Sequence, residues 1–265
     1  IATYHGFCVR VFREDIHHLK YPKRFIILDE EDQKTILREI YDELGINITH
    51  GSFNKMLKYI PKMKENPNYV RFMTSTQDRM KTSEVDGTQQ KVYHKYLLKQ
   101  KKVFGLDFDD LINFTFVLFE DFPHVLEKWQ NRIHYVQVDE FQDSSEKQSQ
   151  LIDMVSRKNG NLFGVGDPYQ TIYEWRGAKP EYFVNFDKVY PSCKTIILNE
   201  NYRSTPQILD VGNAIIKNNK LRIDKDMFTK NPPGIKVIHY HGKDEPDEIK
   251  WITNRIKTLV DERQA

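Results

Sequence analysis

The sequence predicts an α/β fold with a parallel sheet, joined to a stretch of helices. From residue 134 onward, short apolar runs alternate with amphipathic helical segments, which is the pattern of strands and crossover helices in a parallel sheet. Between about residues 29 and 103, apolar residues recur at helical spacing instead. Polar motifs follow two of the apolar runs, and ligands of such sheets bind beyond the carboxyl ends of the strands. We therefore expect a ligand site at that edge of the sheet.

Helical patterns account for most of the first half of the chain. Apolar residues at helical spacing predict a helix over residues 5–20, and a short apolar run follows at 25–28. Asp29, with Asp32 three residues later, predicts the start of a helix that Gly45 ends. Four more helices are predicted, over residues 51–64, 66–80, 83–102 and 107–120, with breaks at Pro61 and Pro67. The helix over 83–102 is expected to be exposed, because its apolar stripe is thin.

Strands and helices alternate in the second half. Short apolar runs predict four strands, at residues 134–140, 162–167, 193–199 and 235–241. Amphipathic segments predict three helices, over residues 144–158, 206–219 and 244–260. This order implies parallel strands connected by helices.

The composition is that of an ordinary globular protein and does not indicate a particular function. The 265 residues are 29% charged and 39% apolar, an ordinary balance for a globular chain, and the net charge of +2 neither demands nor excludes a nucleic-acid partner. Cys8 and Cys193 are the only cysteines, which predicts a reducing cytoplasm rather than a disulfide framework. His94 and the two cysteines show no metal-ligand spacing. No apolar run approaches the ~18 residues of a membrane span.

An acidic pair ends the first strand of the second half. Residues 136–143 read VQVDEFQD, so Asp139 and Glu140 follow an apolar run. A carboxylate at a strand end can hold Mg²⁺ through water, and its neighbour can deprotonate an attacking water. The alternative is an exposed acidic pair at an ordinary junction between strand and loop.

Two further motifs supply a polar sensor and an arginine. Residues 164–178 read GVGDPYQTIYEWRGA, and residues 198–205 read LNENYRST. The Gln170 amide can donate and accept, so it can sense a γ-phosphate; the alternative is a solvated turn residue. Arg203 offers a permanent planar cation to phosphate oxygens, or forms a surface ion pair. Acidic pair, sensor and arginine are the parts that hold a nucleoside triphosphate and its metal.

In this order and wording, the motifs resemble UvrD/Rep/PcrA-type superfamily 1 DNA helicases over nearly the whole chain. The resemblance implies a RecA-like P-loop NTPase sheet with an all-helical insertion subdomain, plus the start of a second RecA-like domain. By this resemblance residues 1–28 and 104–205 belong to the first RecA-like domain, 29–103 to the insertion, and 206–265 to the second domain.

The resemblance also assigns roles at the nucleotide. Asp139 holds magnesium and Glu140 is the catalytic base. Gln170 couples the state of the nucleotide to the grip on DNA. Tyr202 stacks on the adenine, and Arg203 contacts the γ-phosphate.

DNA contacts are expected from two segments. Tyr173 and Trp175 are expected to stack on single-stranded DNA, with Arg176 in the network of the same motif; an indole that anchors a core is the alternative. Residues 1–15, IATYHGFCVRVFRED, resemble the family's DNA-contacting TFHS element through Thr3, Tyr4 and His5. Gly6 stands where a serine is common.

Two weaker signals have structural alternatives. Residues 107–110 match a DFDDL element of the family, and equally suit the capped start of a helix. Basic and aromatic residues between 95 and 102 could follow DNA phosphates, but such a run is more often a solvated helix face. The residues of this run are Lys95, Tyr96, Lys99, Lys101 and Lys102.

The resemblance implies an ATP- and Mg²⁺-dependent 3′–5′ DNA helicase or single-stranded DNA translocase, acting in repair or recombination. Its partners would be single-stranded DNA and single/double-strand junctions, with no membrane. No GxxxxGK[ST] loop occurs in these residues. We therefore expect a piece of a larger helicase, inactive and marginally stable by itself. The alternatives are a non-catalytic DNA-binding remnant and the motor part of an AddA/RecB-like helicase-nuclease; flanking reading frames would discriminate them.

Overall fold

The computed structural model describes residues 1–49, 51–76, 87–220, 222–223 and 225–262, apart from the side chain of Arg176. The chain divides into two compact units. The first unit comprises Ile1–Asp167 and Thr171–Phe183, and the second comprises Pro168–Gln170 and Val184–Ala265.

The first unit opens with the predicted helix. Helix α1 covers Tyr4–Asp15, and a 3₁₀ turn covers Ile16–Leu19. Thr3 caps the start of α1, because its hydroxyl oxygen accepts the N–H of Gly6 at 3.1 Å. The helix buries Val11 and Phe12 completely, so its apolar face lies in the core.

A cluster of helices follows the short strand β1 (Ile26–Ile27). Asp29 and Asp32 form a reciprocal capping box at the start of the next helix, and Gly45 ends it in the left-handed conformation, as the sequence predicts. Pro61 lies inside the following helix rather than breaking it. The helices of the cluster are α2 (Glu30–Leu44), α3 (Ser52–Met63), α4 (Asn68–Thr74) and α5 (Thr88–Val103).

The expectation that the helix over 83–102 is exposed was wrong for its described part, α5. Val92, Tyr93, Tyr96 and Leu97 are at most 4% exposed, and Gln100 is fully buried. Helices α2, α3 and α4 all pack against α5. A thin apolar stripe is buried completely when neighbours cover the helix from several sides. Residues 77–86, which include parts of two predicted helices, lie outside the described residues.

Two small parallel sheets confirm the α/β class and its parallel strands. Strand β1 pairs with β2 (Gly105–Leu106) in the register Ile26↔Gly105. Strand β3 (Val136–Val138) pairs with β4 (Leu162–Gly164), with Val138 opposite Gly164. Helices α6 (Phe108–Asp121), α7 (Pro123–Arg132) and α8 (Glu146–Ser156) belong to the same unit. The sequence predicts α6 and α8, but not α7.

Helix α7 packs on α1 through a buried polar contact. The Trp129 indole nitrogen donates to the Asp15 carboxylate at 2.8 Å, and Lys128 Nζ lies 2.9 Å from the same group. Trp129 is 4% exposed, and its ring meets that of Phe7 edge-on. These contacts hold α7 against α1, the helix whose start carries Thr3, Tyr4 and His5.

A second polar cluster ties α3–α5 to α6. Lys64, at the C-terminal end of α3, is fully buried with its Nζ 2.6 Å from Asp107 Oδ2 and 2.7 Å from Asp110 Oδ1. The Tyr69 hydroxyl donates to Asp110 at 2.7 Å, and the Tyr96 hydroxyl donates to Asp107 at 3.1 Å. Asp107 and Asp110 also form the capping box of α6, so the capping interpretation of residues 107–110 is confirmed.

The cluster contains one lysine, Lys64, and two aspartates, Asp107 and Asp110. Burial raises the pKa of Asp110 to about 7, and the neighbouring charge of Asp107 adds to the effect. Burial also acts to raise the pKa of Asp107, but the charge and hydrogen bond of Lys64 outweigh it and lower that pKa. One lysine therefore serves two buried carboxyl groups, of which Asp110 is the weaker acid.

The regular elements of the second unit are helices, in the part that the structure describes. It includes α10 (Phe186–Val189), α11 (Pro206–Ile216) and α12 (Glu245–Asp261), while α9 (Pro180–Val184) spans the border of the two units. Asp244 caps α12, as expected for a helix over 244–260.

The predicted strands at 193–199 and 235–241 were wrong. Neither segment has a ladder partner among the described residues, and an isolated bridge pairs Glu200, just after the first segment, with Phe228. A strand needs a neighbour for its backbone N–H and C=O groups. Leu198 and Ile235 are 79% and 80% exposed, so their apolar runs are not covered either. Across the described residues, no helix combines the length and apolar character required to cross a membrane.

Candidate functional site

The acidic pair lies directly beyond the carboxyl end of β3. Both Asp139 and Glu140 are exposed. Asp139 Oδ1 accepts the backbone N–H of Glu140 at 3.0 Å. Glu140 has φ 50° and ψ 45°, a left-handed conformation that a residue with a side chain rarely adopts. The chain thus turns sharply at Glu140 and presents both carboxylates at the end of the sheet.

A buried glutamine connects the acidic pair to the end of β4. The Gln142 Nε2 donates to Glu140 Oε2 at 2.7 Å, and its Oε1 accepts the N–H of Asp167 at 3.0 Å. Gln142 is 1% exposed. A Cβ at Gly166 would overlap the Gln142 amide oxygen and lie 3.2 Å from the Phe141 nitrogen. Glycine at 166 therefore allows the amide to bridge two motifs that are far apart in the sequence.

The residues after Glu140 form a closed turn, which we call the Phe141–Ser144 turn. The N–H of Asp143 donates to the Glu140 carbonyl at 2.9 Å, and that of Ser144 donates to the Phe141 carbonyl at 3.0 Å. Burial raises the pKa of Asp143, as does the charge of Glu140, while a hydrogen bond from the Ile172 N–H lowers it. Asp143 Oδ1 is buried and has no hydrogen-bond partner in the described part of the chain.

The donor set at this edge suits a hard divalent cation. Mg²⁺ prefers oxygen ligands, keeps several waters and needs only one or two carboxylates from the protein. Asp139 presents an exposed carboxylate at the strand end, with the Glu140 carboxylate on the adjacent residue. The described residues contain no cluster of three or more His, Cys, Asp or Glu side chains placed to hold a metal ion. An exposed strand-end carboxylate such as that of Asp139 is compatible with this coordination, in which water and phosphate oxygens complete the shell.

The segment with Thr3, Tyr4 and His5 forms the first turn of α1. Tyr4 is half-buried, and its hydroxyl lies 2.7 Å from the Ser144 hydroxyl. His5 packs edge-on against Phe108 at 5.2 Å, and burial lowers its pKa. A Cβ at Gly6 would lie 3.2 Å from Thr3 Oγ1, which explains why the smallest residue fits beside the cap.

The second predicted DNA segment is a surface loop of the first unit. Trp175 is 74% exposed and Tyr173 is 38% exposed. Trp175 is therefore not a core anchor in this structure, which removes the alternative interpretation of its indole. The 3₁₀ turn Glu174–Arg176 ends at Gly177, in the left-handed conformation. The side chain of Arg176 lies outside the described part.

The remaining predicted nucleotide residues belong to the second unit. Gln170 ends the 3₁₀ turn Pro168–Gln170 and is exposed. Tyr202 is 78% exposed, and its hydrogen bond to Glu200 raises its pKa. Arg203 is exposed, and its backbone N–H donates to Asn201 Oδ1 at 2.9 Å, which fixes the turn before α11. The first unit thus brings together Asp139 and Glu140, while Gln170, Tyr202 and Arg203 lie on the second.

The basic run on α5 is engaged in ion pairs within the chain. Lys95 Nζ lies 2.9 Å from Glu43, and Lys99 Nζ lies 2.7 Å from both Glu39 and Glu43. Tyr96 is fully buried. These contacts favour a solvated helix face over a path for DNA phosphates.

Sequence reasoning missed the roles of Ser144 and Lys64. Ser144 directly follows the DEFQD motif, and a hydroxyl at that point was the available signal. Lys64 carries no local signal, because its carboxylate partners lie 43 and 46 positions later in the chain.

Comparison with protein-family models finds two matches that follow one another along the chain. The model of the UvrD/REP helicase N-terminal domain matches residues 1–191. The model of the UvrD-like helicase C-terminal domain matches residues 196–265.

Curated relatives are similar over nearly the whole chain. A probable DNA helicase II homologue of Mycoplasma capricolum is 38% identical over 265 residues, which cover 98% of this chain and 36% of the relative. The ATP-dependent DNA helicase PcrA of Bacillus subtilis is 36% identical over 261 residues, covering 98% of this chain and 34% of the relative. PcrA of Leuconostoc citreum is 33% identical over 259 residues, again covering 98% of this chain and 34% of the relative. The chain thus spans about a third of the length of these relatives.

Proposed function

Because the chain belongs to the UvrD/REP helicase family, we propose that its parent protein is an ATP-dependent DNA helicase. By parent protein we mean the polypeptide that the complete reading frame around these residues encodes. The proposal includes 3′–5′ movement on single-stranded DNA, ATP with Mg²⁺, and work at single/double-strand junctions in repair or recombination. The names of the relatives support the helicase activity, while direction, pathway and a cytoplasmic location stay predictions.

One observation carries the chemical part of the proposal. The Glu140 carboxylate is exposed at the carboxyl end of β3, and the buried Gln142 amide fixes one of its oxygens. A general base must be held within reach of the water that it deprotonates. A carboxylate that is anchored through one oxygen and open to solvent meets this requirement.

In the proposed reaction, water attacks the γ-phosphorus of ATP. The Glu140 carboxylate takes a proton from that water as the new oxygen–phosphorus bond forms. The bond from the γ-phosphorus to the bridging oxygen breaks, and ADP leaves with that oxygen. Magnesium, when bound at Asp139, would neutralise the phosphate charge. Arg203 would offer its guanidinium to the γ-phosphate, Tyr202 would stack on the adenine, and Gln170 would report the state of the nucleotide.

The division into domains is proposed on the same basis. Residues 29–103 would form a helical insertion between two parts of a RecA-like domain, 1–28 and 104–205, with a second RecA-like domain from 206. Helices α2–α5 pack on one another, which supports the insertion. Single-stranded DNA would contact Thr3, Tyr4 and His5 on the first turn of α1. It would also contact the loop of Tyr173, Trp175 and Arg176.

The test is steady-state ATPase of the parent protein with Glu140→Gln. Glutamine keeps the size of the side chain and removes its basicity, so turnover should fall at least about 100-fold while ATP still binds. Glu146→Gln, on the exposed face of α8, is the matched control and should hydrolyse ATP at the wild-type rate. Turnover of Glu140→Gln within a few-fold of wild type would remove Glu140 from the base role. A wild-type parent that binds DNA but hydrolyses no ATP would instead indicate a DNA-binding remnant.

A further inference from the structure

The Phe141–Ser144 turn is hydrogen-bonded to both segments that are predicted to contact DNA. The hydroxyls of Tyr4 and Ser144 lie 2.7 Å apart, although these residues are 140 positions apart in the sequence. The Ile172 N–H donates to the Asp143 carboxylate, and Ile172 directly precedes Tyr173. The turn itself directly follows Glu140. It therefore lies between the predicted DNA segments and the predicted catalytic base.

Burial and backbone hydrogen bonds fix the position of Ser144. It is 2% exposed, and its carbonyl accepts the N–H of Lys179 at 3.1 Å. Its N–H closes the turn onto Phe141, and the next N–H back along the chain, that of Asp143, bonds the Glu140 carbonyl. A hydroxymethyl side chain has a single rotatable bond to its oxygen. Ser144 thus links the Tyr4 hydroxyl to the hydrogen bonds that close the turn next to Glu140.

Glu140 directly precedes this turn, and its backbone carbonyl accepts one of the hydrogen bonds that close it. Its left-handed backbone, with φ 50° and ψ 45°, persists only while the surrounding hydrogen bonds hold it. The same backbone conformation directs its side chain toward Gln142. Loss of a bond that fixes the turn would relax the conformation that aims the carboxylate.

We propose that the hydroxyl pair of Tyr4 and Ser144 is a positioning contact through which DNA at the first turn of α1 sets the orientation of Glu140. Ser144 is a positioning residue in this arrangement, because it is 2% exposed and acts through Tyr4 and Glu140. The inference rests on the proposed function, since it takes Glu140 as the base and the Tyr4 segment as a DNA contact. Part of the stimulation of ATPase by DNA then passes through one hydrogen bond.

The experiment compares Ser144→Ala, Tyr4→Phe, the double variant and the conservative Ser144→Thr in the parent protein. The ATPase rate is measured without DNA and with saturating single-stranded oligothymidylate, and affinity for that oligonucleotide is measured by fluorescence anisotropy. Ser144→Ala should lower the stimulation by DNA on the order of 3- to 10-fold, the effect of one neutral hydrogen bond. The rate without DNA should fall less than the rate with DNA, because the bond transmits DNA binding to Glu140, and the affinity should change less than about two-fold. Ser144→Thr keeps the hydroxyl and should keep the stimulation.

The double variant separates coupling from direct DNA contact. If the two hydroxyls act through each other, Tyr4→Phe causes no further loss in the Ser144→Ala background. A further loss there would show that the Tyr4 hydroxyl acts on DNA directly, and would overturn the inference.

Two other outcomes would also overturn it. Wild-type stimulation in folded Ser144→Ala does so while leaving the proposed function intact. If Ser144→Ala does not fold, the test uses Tyr4→Phe, which removes only one oxygen from a half-buried ring. Unchanged stimulation of its ATPase by DNA would then refute the inference. A wild-type parent without DNA-stimulated ATPase would overturn the proposed function and this inference together.

Discussion

Replacing Lys64 by methionine should destabilise the first unit far more than any exposed lysine does. The Lys64 ammonium is fully buried, 2.6 Å from Asp107 and 2.7 Å from Asp110, with Gln100 Oε1 at 3.1 Å. Methionine has a similar length but no charge, so two buried carboxyl groups would be left without their cation. Breaking a buried ion pair in this way costs about 3–5 kcal/mol.

This free energy corresponds to a measurable shift of the melting temperature. For a domain of about this size, 1 kcal/mol shifts the midpoint by about 2–4 °C, so Lys64→Met should lower it by roughly 6–20 °C. The assay is differential scanning calorimetry of the parent protein, following the transition that contains the first unit. Lys95→Met is the matched control, since Lys95 pairs with Glu43 at the surface of α5. An exposed pair contributes only about 0–1 kcal/mol.

The effect should also depend on pH, with a definite sign. The folded-state pKa of Asp110, about 7, lies above that of an unfolded aspartate, about 3.9. The stability that this group contributes is therefore fully present below the unfolded pKa and is lost as the pH rises through about 7. Lys64 lowers the pKa of both aspartates, so without it both pKa values rise and Lys64→Met should be more destabilising at pH 8 than at pH 5.

Two results would refute this reasoning. One is a Lys64→Met variant no less stable than Lys95→Met. The other is an effect that stays the same between pH 5 and pH 8, which would show that lost packing, rather than unpaired charge, explains the destabilisation. Asp110→Asn in the Lys64→Met background checks the same point, because removing one carboxylate should recover part of the loss.

Three further predictions follow from the site. Trp175→Ala should weaken binding of single-stranded DNA by about 1–3 kcal/mol with little change in melting temperature, as anisotropy and calorimetry would measure; a collapse of stability with unchanged affinity would contradict it. Gly166→Ala should greatly reduce the ATPase rate of the parent protein, because the new methyl group displaces the Gln142 amide. Gly212→Ala is the control: its methyl group meets open space in the interior of α11, so it should be neutral or slightly stabilising. Equal ATPase rates of the two variants would disprove the role of the Gln142 amide in linking Glu140 to Asp167. The 265-residue chain by itself should not hydrolyse ATP, since it contains no glycine-rich phosphate loop, and turnover above a Glu140→Gln control would show that another segment binds the phosphates.

Elements with short-range signals could be predicted from the sequence. The helix between Asp29 and Gly45 has its cap, its end and its apolar stripe within a few residues of one another, and the structure matches it at both ends. The acidic pair was placed at the end of a strand for a similar reason, because an apolar run directly precedes it. The parallel pairing of β3 and β4 follows from the alternation of strands and helices. The types of residue in the candidate site, and the family resemblance, were available from the motifs alone.

Tertiary structure decided whatever depends on residues far apart in the chain. The apolar runs at 193–199 and 235–241 have strand composition, yet form no ladder among the described residues, because a strand exists only where another backbone accepts its hydrogen bonds. The thin stripe of α5 is buried because several helices cover it. The Lys64 cluster and the bond from Tyr4 to Ser144 join residues dozens of positions apart. Local propensity acts over a few residues, whereas burial and charge compensation depend on which distant groups the fold brings within about 3 Å of one another.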